Sequence, residues 1–199
     1  MSRPGSRGVV AAIARAYRDP RGAMAEQRAE GLTEPRALMQ LFLACFLGLV
    51  ASLPQAVRQA QSIETDDPLT AAVAAHVFGF IFVAPLLAYG FAALVHLAAR
   101  AFGARGGYLP ARAATFWSLL LAGPLALALA LLGAGAEMAG LPRAPWLGLL
   151  EYAAFAFWIW LFAATLAEAE GFRAAGRVAA AMALVAIALA LGLGAAARV

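Results

Sequence analysis

Thirty-one consecutive residues, 69–99, contain no Asp, Glu, Lys or Arg. As a helix this run would be about 46 Å long at 1.5 Å per residue, against a hydrocarbon core of ~30 Å. It reads as a membrane span that tilts, kinks at Pro85, or extends past the membrane at its His76 end. Uncharged runs at residues 37–57, 113–136 and 178–197 are each long enough to cross as well. Pro54 and Pro124 fall inside the first two, which lipid-embedded helices tolerate when neighbours satisfy the freed carbonyls. A further run is shorter, with only 16 uncharged residues between Glu151 and Glu168. That helix either starts near Trp146, with Glu151 at the interface, or is a thin span held by its flanks. Taking the first option, the spans lie at about 37–57, 69–99, 113–136, 146–167 and 178–197.

Composition agrees with this pattern. The chain is 64% hydrophobic and 13% charged, where soluble domains average about a quarter charged. So little charge does not cover a soluble surface. The expected fold is all-α: a polytopic membrane protein of five transmembrane helices (37–199) behind a short cytoplasmic amphipathic segment (1–36). Residues 1–36 hold seven Arg and four acids, which excludes a secretory signal peptide. Val9, Val10, Ile13 and Tyr17 recur at helical spacing beside Arg15 and Arg18, as in a helix lying on a membrane surface. The stripe is weak, and a loosely ordered tail is the alternative. Asp19-Pro20 and Asp67-Pro68 both read as an N-cap followed by proline at the first helical position.

All fifteen basic residues are Arg and there is no Lys, a bias we read as coding bias of a high-GC bacterial genome. The N-terminal segment and the turns near 100–112 and 168–177 hold twelve of these Arg, and the opposite side three. The positive-inside rule then places the N-terminus in the cytoplasm and the C-terminus outside the bacterial inner membrane. Because the Arg cluster at span ends, membrane orientation explains the basic character better than nucleic-acid binding does.

Signals for chemistry are sparse. Cys45 is the single cysteine, so neither an intrachain disulfide nor a cysteine metal cluster is expected. His76 and His96 sit at opposite ends of one span, ~30 Å apart along the helix, and do not share a metal. Both read as interfacial or packing histidines before ligands or proton carriers. Glu151 reads as an interfacial residue beside Trp146 before a buried ion-coupling acid, and Glu168 and Glu170 as the solvated end of a loop. Phe157, Trp158 and Trp160 read as packed or lipid-facing aromatics before a stacking site. Ala122, Ala126, Ala130 and Ala134 place small residues on one helix face, where another helix can approach. No HExxH, GxSxG or Walker motif occurs, and neither enzymatic activity nor a cofactor is expected.

Several short motifs recur in a particular order: Tyr17-Arg-Asp-Pro in the N-terminal segment, then the Gly106-Gly107 turn. After them come Arg112-Ala-Ala-Thr-Phe-Trp117-Ser with Pro124, Trp158-x-Trp160, and Leu166-Ala-Glu-Ala-Glu-Gly-Phe172. In this order and spacing the chain resembles the Yip family of five-span, Ypt/Rab-interacting membrane proteins, in its bacterial branch. The resemblance implies a protein that binds partner membrane proteins and carries no catalytic residues. Prenylated GTPase partners do not transfer to a bacterial chain.

Two functions follow as expectations. The first is a non-enzymatic scaffold or accessory subunit in contact with other membrane proteins and lipid, with homo-oligomerisation left open. Its candidate residues are Arg100, Arg105, Arg112, Trp117, Trp158, Trp160, Glu168 and Glu170. The second is a small transporter or channel component with a polar site near His76, Glu151 or His96.

Overall fold

The computed structural model describes residues 8–141 and 145–172. Its regular elements there are all helical: α1 (Val9–Ala16), α2 (Pro20–Ala29), α3 (Glu34–Ala60), α4 (Pro68–Phe78), a π-helical turn (Gly79–Val83), α5 (Ala84–Ala101), α6 (Tyr108–Met138) and α7 (Pro145–Glu170). Four stretches are long and apolar enough to cross a membrane: Glu34–Ala60, Pro68–Ala101, Tyr108–Met138 and Trp146–Glu170. The expected fifth span, 178–197, lies outside the described residues.

The helix starts follow from local chemistry. Asp19 accepts a hydrogen bond from the Gly22 N–H at 2.9 Å, and Asp67 from the Thr70 N–H at 3.1 Å. Each satisfies an orphan donor of the first turn, and the Pro that follows has no N–H to leave unpaired. Within the long second span the π-helical turn ends just before Pro85. Proline cannot donate to the carbonyl one turn back, and the wider turn takes up that mismatch within a continuous apolar stretch.

Two boundaries differ from expectation. The third span begins at Tyr108 rather than 113, because Pro110 falls in the first turn, where amide hydrogens have no helical partner. Arg112 is therefore helical. The helix α7 starts at Pro145 and runs through Glu170. Glu168 and Glu170 thus occupy its last turn and are not loop residues, while Glu151 is an exposed residue of the helix.

The most extensive packing is α3 against α6. Gly123 of α6 makes room for Leu47, and Gly48 of α3 makes room for the Phe80 ring of the π turn. Of the alanine row of α6, Ala126 and Ala130 line a cavity shared with α3 and α7, and α3 comes closest at Gly123. Burial concentrates in the half of the bundle that holds α1 and α2. There Ala16, Met24, Leu41, Phe116, Leu121, Leu161 and Phe162 are wholly buried. The pair α1–α2 is thus part of the core. Leu86, Leu94, Leu97 and Phe82 are exposed, as suits side chains whose solvent is lipid.

Candidate functional site

A cluster of polar residues gathers at the end of the bundle where α1 and α2 pack. Glu170 closes α7. Gly171, at φ 75°, follows in the left-handed conformation, and the Phe172 N–H returns to the Ala167 carbonyl at 2.8 Å, forming a Schellman cap. That cap aims the Glu170 side chain inward. The carboxylate is fully buried, and its Oε1 lies 2.6 Å from His96 Nδ1 on α5. The Glu170 Oε2 is buried without a partner among the described residues.

The turn between α5 and α6 locks over this pair. Arg105 donates its backbone N–H to the Glu170 carbonyl at 3.1 Å. A Cβ on Gly106 would stand 2.4 Å from the Ala169 carbonyl oxygen and 2.6 Å from Glu170 Oε2. Only glycine permits that approach.

Aromatic and charged groups extend the cluster across four helices. The His96 ring lies 5.7 Å from that of Tyr108. The Arg112 guanidinium stands 4.5 Å over Tyr108 and 5.6 Å over Tyr89, and pairs with Glu34 at the start of α3. Cation–π contact and an ion pair together let an arginine sit within an apolar helix. On the other flank Glu168 binds Arg21 at 3.3 Å and Arg28 at 3.5 Å. Arg28 also donates to the Glu168 carbonyl at 2.7 Å, and Arg21 to that of Phe172 at 3.1 Å. These bonds clip α2 onto the end of α7.

The N-terminal helix is tied in as well. Tyr17 donates its hydroxyl to the Leu121 carbonyl at 2.7 Å, just before Pro124 interrupts the α6 ladder. Its ring packs 5.9 Å from Phe157, and burial pushes the phenol pKa above its usual value. Between α2 and α3, Gln40 donates to Gln27 at 2.8 Å in a buried pair.

The candidate residues divide accordingly. His96, Arg112, Glu168 and Glu170 come together here, with Arg105 contributing its backbone. Arg100 and Arg105 project exposed side chains at the same end. Trp117 is in the core under α1 and α2, its Nε1 unpartnered among the described residues. Trp158 stacks on Phe162 and Trp160 on Phe157, along the middle of α7. His76 is apart, its Nδ1 bonded to the Ala72 carbonyl one turn earlier on α4. Glu151 is at the other end, where it lines a cavity of about 360 Å³ with Arg58 and Glu137. Sequence reasoning passed over Tyr89, Tyr108, Arg21, Arg28, Glu34 and the glutamine pair as site residues. None of these lies in the ordered motifs, although Gly106, Arg112 and Glu168, which do, fall within the same cluster.

Chemically, the arrangement is a set of internal ties. Among the described residues no group of three or more His, Cys, Asp or Glu gathers to hold a metal. A search of the curated proteins and a search of the solved structures each found no match. The family model for the Yip1 domain matches residues 14–196. That match spans the motifs just described, from the N-terminal helices onward. With its apolar, membrane-crossing helices and this match over nearly its whole length, the chain belongs to the Yip1 domain family of multi-pass membrane proteins.

Proposed function

We propose that this protein is a non-enzymatic scaffold or accessory subunit of a bacterial cytoplasmic membrane. In this reading it has five spans, a cytoplasmic N-terminus and an external C-terminus, and binds other membrane proteins through the end that carries α1 and α2. The observation behind it is how the charges at that end are used. Arg21, Arg28 and Arg112 are engaged with Glu168 and Glu34 in holding the helices together. Arg18, Arg100 and Arg105 point outward from the same frame. A basic, exposed face on an end braced by these ion pairs suits docking to a partner. The Arg count across the spans supports the orientation.

The test is recovery of the tagged full chain from its own membrane in mild detergent, with mass spectrometry and native mass. A stoichiometric membrane partner, lost when Arg18, Arg100 and Arg105 are reversed to Glu, supports the proposal. A lone monomer overturns it.

The cavity lined by Arg58, Glu137 and Glu151 favours a second reading, a small transporter or channel component. Ser52 of α3 and Phe80 of the π turn border the same space, and π turns are frequent at functional sites. Under this reading Glu151→Ala abolishes a flux or a ligand-dependent thermal shift. Under the first it leaves partner binding intact.

A further inference from the structure

A second cavity, of about 780 Å³, opens between α1, α2, α3 and α6. It is within the size range of ligand sites and is built in two zones. Ala12, Met39, Leu43, Trp117 and Leu120 form an apolar wall. Two ion pairs frame the rim: Arg15 with Glu26 at 2.6 Å, and Arg36 with Glu30 at 2.8 Å. All four rim side chains are partly exposed, so each pair contributes little by itself and can exchange partners readily.

Behind this wall, closed to the cavity, Gln40 donates its Nε2 to Gln27, and Gln40 Oε1 and Trp117 Nε1 are buried without partners among the described residues. The cavity sits where α3 passes from Glu34 and Arg36 into its apolar run.

We propose that this cavity binds one membrane phospholipid with a zwitterionic, primary-amine headgroup, phosphatidylethanolamine in chemistry. The rim carries two Arg and two Glu, with no net charge, which complements a phosphate and an ammonium side by side. Arg15 and Arg36 take the phosphate, and Glu26 and Glu30 take the ammonium. A primary ammonium has N–H donors for the Glu26 and Glu30 carboxylates, which a quaternary choline lacks. An acyl chain lies along Leu43, Met39 and Leu120 of the apolar wall. The lipid would hold α1–α2 against the bundle irrespective of which protein partner binds there.

The test is native mass spectrometry of the full chain taken from nanodiscs with equal parts phosphatidylethanolamine, phosphatidylcholine and phosphatidylglycerol. The expected result is one phosphatidylethanolamine retained per chain in preference to the other two. Glu26→Gln with Glu30→Gln should reduce that preference about tenfold, the scale of two solvent-exposed ionic contacts. Ala12→Phe, which fills the cavity, should abolish retention, with circular dichroism confirming an intact helical fold. Equal retention of all three lipids, preference for phosphatidylglycerol, or retention untouched by both variants overturns the proposal. So does a dimer whose second copy occupies the groove, shown by crosslinks from position 12.

Discussion

Glu170 of α7 and His96 of α5 are joined by a 2.6 Å bond between Oε1 and Nδ1, with the carboxylate wholly removed from solvent. The two residues are 74 positions apart, and their pairing draws the ends of two candidate spans together. Truncating one partner of a buried pair costs more than the pair contributes, because the other group is left without compensation. Glu170→Ala should therefore destabilise the protein by about 3 kcal/mol, and Glu170→Gln, whose amide can still hydrogen-bond Nδ1, by less. Thermal unfolding in detergent provides the values, and a double-mutant cycle with His96→Ala should be strongly non-additive. Additive losses would mean that the two side chains act independently.

Gly106 is the second point of closure. The Ala169 carbonyl and the Glu170 carboxylate leave no room for a methyl group there, so Gly106→Ala must push the turn away from α7. An overpacking cost of about 1–3 kcal/mol is expected. Gly90→Ala, a helix-interior site with nothing within 4 Å among the described residues, should be neutral or slightly stabilising. Equal melting temperatures for the two variants would contradict the close approach.

Tyr17 anchors α1 through its hydroxyl. Tyr17→Phe retains the ring against Phe157 but loses the bond to Leu121, about 1 kcal/mol. Amide exchange in α1 should accelerate while that in α6 does not. The phenol pKa is raised in the folded protein by burial. Its contribution is therefore complete below the ordinary phenol range and is lost as pH rises through the raised value. Alkaline melting curves of the parent protein should carry this slope, and those of Tyr17→Phe should lack it.

Asp67 gives the opposite sign. Its hydrogen bonding to Thr70 holds the carboxyl pKa below the usual value. The cap is fully formed above the ordinary carboxylate range and is lost as pH falls through the lowered value. Asp67→Ala should reduce stability at neutral pH and flatten the acid limb of the melting profile. An unchanged acid limb would remove Asp67 as its source.

Much of the architecture was legible because a membrane imposes a one-dimensional rule. A segment that crosses hydrocarbon must satisfy its backbone within itself and present apolar side chains for about 20 residues. Charge-free runs therefore located four helices without knowledge of their neighbours, and Asp19-Pro20 and Asp67-Pro68 marked helix starts through contacts three residues away. Even the family could be identified from ordered motifs, since order survives in sequence. Boundaries set by tertiary partners were harder. Arg112 reads as the end of a loop until Tyr89, Tyr108 and Glu34 surround it, and Glu168 reads as solvated until Arg21 and Arg28 reach it from α2. Nothing in the spacing of His96 and Glu170, or of Gln27 and Gln40, declares that they meet. Local chemistry and lipid solvation determined which residues are helical and which cross. Only the folding of α1–α2 onto the bundle decided which charges are buried together, because that depends on side chains brought from remote parts of the chain.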